Sequence, residues 1–427
     1  MRTTDRRSGR HHYRGTAEPA GLRLGHGHGH GPAPPASRRV KLLLVAVLVP
    51  VALATLVGLW LTWPGDPPRS SADVGFGQRP VQGTVLAATS APCTSGGAGV
   101  SPGQSKKCIS LSVLLTDGDS PGVLIQQVLP DEPSTPRFTV SDHVVLAYTG
   151  RNPSDAGSYQ IQDFQRGTSM VWLVALFAAA VLLLGRWRGL ASLVALGFSF
   201  LVLVVYLFPA ILTGGDPVIV GVLAASVIMF GVLYLTHGVS AQTSSAVLGT
   251  VLSLALIGVL GTAFTATTQL TGLDEDTANL IRVLGHGVDA RGLLLAGMII
   301  GALGVLDDVT VTQTSAVWEL RRANPALSAR ALYTAAVRIG RDHISSAVNT
   351  LALAYAGAAL PVLLTLALSG QSFGTLVTAQ NVAQEVVRTL VGGIGLVAAV
   401  PITTAIAAVV ARHDKIEPPQ SELAGPA

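Results

Sequence analysis

The sequence predicts a polytopic α-helical membrane protein, with about eight transmembrane helices and a small β-rich extracytoplasmic domain after the first helix. Three observations carry this reading. Only 12% of the residues are charged, against roughly 25% in a soluble domain. Apolar runs of about twenty residues, the length that crosses a bilayer, recur along the chain. One long stretch between the first run and the second lacks them and is rich in turn residues instead.

Residues 1–40 are rich in Arg, His, Gly and Pro and read as a disordered cytoplasmic tail. Within them His26, His28 and His30 alternate with glycine. Such a tract either binds a divalent metal weakly or is simply solvated, and nothing around it supplies a rigid site. Arg38, Arg39 and Lys41 precede an apolar run, Leu42 to Leu61, closed by Trp60 and Trp63. The run exceeds the roughly 7–15 residues of a signal-peptide core, so segment 41–63 reads as an uncleaved first span with its N-terminus inside.

Segment 64–167 alternates short apolar runs with turn signals: Val81–Leu86, Cys108–Leu115, Gly122–Leu129 and Val140–Tyr148. This pattern predicts a small barrel or sandwich. The only two cysteines, Cys93 and Cys108, fall here. Outside the cytoplasm they would pair as a disulfide; otherwise they are free thiols.

Residues 168–411 predict seven further spans, at 168–185, 189–211, 217–236, 245–267, 292–318, 344–368 and 386–411, before a tail at 412–427. Asp216-Pro217 is an N-cap followed by a proline at the first helical position. Pro209, Pro361 and Pro401 should kink or shorten their helices. With eight spans, eighteen of the 28 Lys and Arg residues fall on the side of both termini. The long external segment carries seven and the remaining loops three. Basic residues sort by membrane side, which predicts cytoplasmic termini and excludes a nucleic-acid-binding reading of the +4 net charge.

The sixth span is the most informative. Its apolar part, Gly292 to Leu306, has 15 residues, about 22 Å of helix against a hydrocarbon core of ~30 Å. Asp307 and Asp308 must therefore enter the apolar layer or sit at its margin. Asp308, Thr312, Ser315, Glu319 and Arg322 follow at helical spacing on one face. A second stripe, Arg338, Asp342, Ser345 and Asn349, opens the next helix, with Arg341 nearby. Burial and a neighbouring arginine pull a carboxyl in opposite directions, which makes a switchable proton site. The alternative is a structural ion pair among lipid headgroups. Gly297, Gly301 and Gly304 offer a small-residue packing surface, as do Gly392 and Gly393.

Walker loops, Gly-x-Ser-x-Gly and His-Glu-x-x-His are missing from the sequence, so neither catalysis nor a cofactor is expected. The expected partners are the lipid bilayer and either a second copy or another membrane subunit.

The run Gly301-Ala302-Leu303-Gly304-Val305-Leu306-Asp307-Asp308-Val309-Thr310, with Thr314-Ser315-Ala316 and Glu319-Leu320, resembles the YibE/F family of bacterial multipass membrane proteins. So do Gly238–Thr243, Gly249-Thr250, Asn349–Gly357, Val391–Gly395 and Pro401-Ile402-Thr403-Thr404. The likeness covers roughly residues 80–411. It implies a multi-pass protein of the bacterial plasma membrane with an extracytoplasmic N-terminal domain, and no settled activity. A second likeness is to SecF-type and resistance-nodulation-division exporters, through Asp308, Asn349-Thr350, Gly392, Gly393 and Pro401. It implies proton-driven export, although seven predicted spans after the external domain depart from the five of those families. The expected function is an ion- or proton-coupled transporter or exporter, or a subunit of one. The alternative is a non-transporting scaffold or accessory factor for secretion or envelope assembly.

Overall fold

Helix α1 runs from Arg38 to Leu61, with the Ser37 hydroxyl capping its first turn. Most of its side chains face outward, as an apolar helix in lipid requires. Its C-terminal end is tied down by polar and aromatic contacts. The Thr62 and Tyr206 hydroxyls are 2.6 Å apart, and Trp63 stacks on Tyr206 at 6.0 Å between ring centroids. A computed structural model describes residues 37–65, 78–92, 107–150, 152–284, 288–370 and 372–413. The His26, His28 and His30 tract and Cys93 lie outside the described residues.

Five antiparallel strands follow: β1 (Arg79–Pro92), β2 (Lys107–Leu115), β3 (Leu124–Pro130), β4 (His143–Tyr148) and β5 (Tyr159–Phe164). Their order is β3-β2-β1-β4-β5, a half-barrel. The long β1 pairs with β2 from Gly83 to Pro92 and with β4 from Arg79 to Thr84, with an irregularity between Val85 and Ala87. Alternate residues Val81, Val85, Leu111, Val113, Leu115, Val144 and Leu146 point inward to one core. The Gln127 amide on edge strand β3 donates to the carbonyls of Ala156 and Tyr159, at 2.8 and 2.9 Å, and draws the open edges together. Strand β5 was not among the runs expected from sequence. Cys108 is buried in this core and disulfide-bonded; Cys93 is the only other cysteine in the chain.

Helix α2 (Gly167–Val202) is a single helix only by hydrogen-bond continuity. At Arg186 the backbone leaves the helical region (φ 50°, ψ −128°) and the chain turns back. A Cβ added at Gly189 would lie 2.3 Å from the Val181 carbonyl oxygen, whereas eight residues of straight helix separate such atoms by about 12 Å. Only glycine fits there. The expected break between 185 and 189 thus exists as a tight reversal without a loop. A π-helical turn at Leu203–Leu207 then precedes α3 (Phe208–Leu212), which carries Pro209. The wide turn absorbs a proline that cannot donate to the ladder.

Helix α4 (Pro217–His237) starts where expected, with the Asp216 carboxylate accepting from the backbone N–H groups of Val218 and Ile219. After a turn at Gly238, α5 (Ala241–Thr267) begins four residues before its expected start. The short α6 (Glu275–Leu284) leads to α7 (Ala290–Ala323), which is longer than the expected 292–318. A turn at 324–328, capped by Asn324 and Ser328, joins it directly to α8 (Ala329–Ala358). The expected span 344–368 is in fact α8 plus α9 (Leu360–Leu368), bent by 61°. Pro361 sits at the break and removes the donor that would continue the helix. The small α10 (Phe373–Thr378) precedes α11 (Gln380–His413), which passes through Pro401 unbroken.

Close contacts fix the helix directions. Pro217 and Gly221 of α4 face Gly292 and Ala296 of α7 respectively, so these two helices run parallel. Gly261 of α5 meets Leu295, while Thr250 meets Thr310, so α5 is antiparallel to α7. Gly395 of α11 packs on Ile257, while Gly249 packs on Thr403, so α11 opposes α5. Among the described residues six helices are long and apolar enough to cross a membrane, or seven if α8 and α9 form one bent span. The helix Gly167–Leu212 counts once in that number, although it contains the reversal at Arg186.

Candidate functional site: a polar seam between α5, α7 and α11

The three most intimately packed membrane helices bury polar side chains rather than only apolar ones. Ser245, Thr250 and Ser253 of α5, Thr310, Gln313 and Thr314 of α7, and Thr403 and Thr404 of α11 are all closed to solvent. Several hydroxyls satisfy themselves on their own helix: Ser253 donates to the Gly249 carbonyl at 2.8 Å and Ser245 to Ala241 at 2.7 Å. Others bridge helices. The Thr250 and Thr310 hydroxyls are 3.0 Å apart, and Thr404 donates to Gln313 Oε1 at 2.9 Å. Such bonds hold membrane helices together where no hydrophobic drive exists, each worth roughly 0.6–2 kcal/mol.

Glycines let this seam close. A Cβ at Gly249 would lie 2.2 Å from Thr403 Oγ1, and one at Gly395 would lie 2.2 Å from Ile257. Gly340 of α8 lies against the Gln313 amide and Val400, each 2.6 Å from an added Cβ. Among the described residues, seven side-chain polar atoms on α7 and α11 are buried without a hydrogen-bond partner: Asp307 Oδ1, Gln313 Nε2, Trp318 Nε1 and Arg321 Nε on α7, and Gln384 Nε2, Arg388 Nε and Thr403 Oγ1 on α11; Asp307 Oδ1 alone among them belongs to a carboxyl group. Asp307, Thr310 and Thr314 are spaced three and four residues apart, so the carboxyl sits on the same side of α7 as the bridging hydroxyls. The helix starts at Ala290, about 25 Å of rise before Asp307. The carboxyl is therefore carried deep into the bundle.

The two neighbouring acids part company. Asp307 turns inward; Asp308 is exposed and stands 3.6 Å from His343 Nε2 of α8. Of the expected stripe, Ser315 Oγ accepts from the Gln242 amide of α5 at 2.9 Å. Thr312 is half-buried, and Glu319 pairs outward with Arg322 at 2.9 Å. Arg338, Arg341, Asp342 and Asn349 all lie exposed on α8, and among the described residues none of them forms an ion pair or hydrogen bond with Asp307. The structure therefore does not bring the expected counter-charges to the buried acid. Among the expected packing glycines, Gly301 meets the Tyr355 hydroxyl and Gly392 meets Leu351. Gly297, Gly304 and Gly393 have open space in front of them. Among the described residues no group of three or more His, Cys, Asp or Glu side chains is placed to hold a metal.

Sequence periodicity missed Gln313 and the buried hydroxyls as site residues. A signal did exist: Gly249-Thr250, Thr310, Thr314 and Thr403-Thr404 all fall within the runs that carry the family resemblance.

Long apolar helices closed around a buried polar seam define a multi-pass membrane protein. The chain belongs to the family of YibE/F-like proteins, whose sequence pattern matches residues 173–413, more than half its length. The match begins after the β-domain, a narrower reach than the likeness from residue 80 onward suggested. No curated protein and no solved structure matches the chain.

Proposed function

We propose that this protein is an ion- or proton-coupled transporter, or the membrane subunit of one, and that Asp307 is its coupling residue. The observation that carries the reading is the bare Asp307 Oδ1, buried in the bundle with no hydrogen bond. A carboxylate oxygen in such a place is costly, and a proton or a bound cation removes the cost. Hydroxyls both donate and accept, so the seam from Thr250 through Thr310 suits passage of either. Six to seven apolar helices, with the reversal at Arg186 dividing the longest, fit eight spans in a bacterial plasma membrane with both termini cytoplasmic. The β-domain then lies outside and meets cargo or a partner there. The reading involves neither a catalytic step nor a cofactor.

The test is ion flux in proteoliposomes. Asp307→Asn should abolish proton- or cation-coupled flux, while Asp308→Asn leaves most of it. Full flux in Asp307→Asn would refute the assignment and favour the scaffold alternative.

A further inference from the structure

We infer that the outward face of α8 is a two-fold interface with a second copy of this chain. Arg338, Asp342, Ser345 and Asn349 are spaced four, three and four residues apart and are all exposed; together they form one polar stripe. Exposed Asp308 on α7 lies beside it, next to His343.

Depth makes this face incompatible with lipid. The turn between α4 and α5 at 238–240, and the Gln242–Ser315 hydrogen bond beside it, mark the nearest polar surface. Asp308 is seven residues further into the bundle along α7, about 10 Å by helical rise. Asn349 lies six residues beyond His343, about 9 Å deeper again. Further along α8, Tyr355 packs against Gly301, inside the apolar run of α7. An amide and a carboxyl at such depths on the outer surface would each face hydrocarbon without a partner, which membrane helices avoid by turning polar groups toward protein.

The chemistry of the stripe selects a second copy as what covers it. All copies insert with the same orientation, so a closed pair has its axis along the membrane normal and residues of equal depth meet. Asn349 then meets its own counterpart, and an amide carries both the donor and the acceptor for that pairing. Ser345 is self-complementary in the same way. Below them Arg338 and Asp342 sit one helical turn apart on each chain, so the long Arg338 side chain reaches diagonally to Asp342 of the partner subunit and offsets the like-charge approach at equal depth. A partner of one charge sign would leave half of this stripe opposed by its own sign. The inference is independent of whether Asp307 carries ions.

Cross-linking of the full chain in native membranes tests it. Cys108 is already disulfide-bonded, so an introduced thiol reports alone. Asn349→Cys under mild oxidation should give a species of twice the chain's mass, and Leu184→Cys, on a side chain 90% exposed elsewhere, should not. Arg338→Glu in that background should lower the cross-linked fraction roughly three- to tenfold, and adding Asp342→Arg should restore it. Persistent monomer, an adduct with a different polypeptide, or a cross-linked fraction indifferent to the charge swap would each overturn the proposal.

Discussion

At residue scale the chain places two adjacent carboxyls in opposite environments, because successive residues on a helix point about 100° apart. The buried one carries a stability consequence separable from transport. Removing the unpartnered oxygen removes an unmet desolvation cost, so Asp307→Leu should stabilise the purified protein by about 1–3 kcal/mol while abolishing flux. Thermal unfolding in detergent measures the first and proteoliposomes the second. A loss of stability together with loss of flux would mark Asp307 as a structural group. Gln313 is the converse case. Its Oε1 is engaged by Thr404 and its Nε2 is packed on Gly340, so the amide orients α7, α8 and α11 about one point.

At the scale of elements, close glycine contacts and one strained turn set the geometry. Gly395→Ala would drive a methyl group into Ile257 between α5 and α11, and overpacking of this kind costs about 1–3 kcal/mol. The melting temperature should fall accordingly, and Ile257→Val in the same chain should recover part of the loss. The opposite sign is expected at Arg186, whose positive φ glycine tolerates freely. Arg186→Gly should raise stability by about 1 kcal/mol, with Arg188 retained as the basic residue of the turn. These elements were unequally legible from sequence. Membrane helices announce themselves through apolar length, which is why a long apolar helix, or part of one, was expected near each of the six found among the described residues. Their ends were misjudged, by as much as fifteen residues for α8, because α7, α8 and α11 continue beyond their apolar stretches as polar helix. The stripe from Asp308 to Arg322 is a real face, yet periodicity cannot say which way a face points when both sides of a helix carry polar groups. The buried seam was harder still. Its members sit on three helices and converge only once α5 runs antiparallel to α7 and α11.

At the scale of the whole molecule, the reading requires that the β-domain and the α7–α8 turn lie on opposite sides of the membrane. Ser154→Cys, exposed near the end of the β-domain, should react with an impermeant thiol reagent in intact cells. Arg330→Cys, exposed just after the turn, should react only after permeabilisation. Labelling of both from outside would break the eight-span arrangement. The β-domain was legible as alternation, but β5 was not, because its alternation lasts only from Tyr159 to Gln162 before Asp163 and Phe164 break the period of two. That last strand gives the sheet a mechanical character. The chain enters at the start of β1 and leaves at the end of β5, and through β4 the register aligns Arg79 with Tyr159 and Gly83 with Phe164. The two anchorages thus sit at opposite ends of a short ladder. A pull between the flanking helices would load these strands lengthwise, in shear. Their bonds would share the tension and fail together instead of unzipping singly, which makes this small domain a stiff link between the helices it joins.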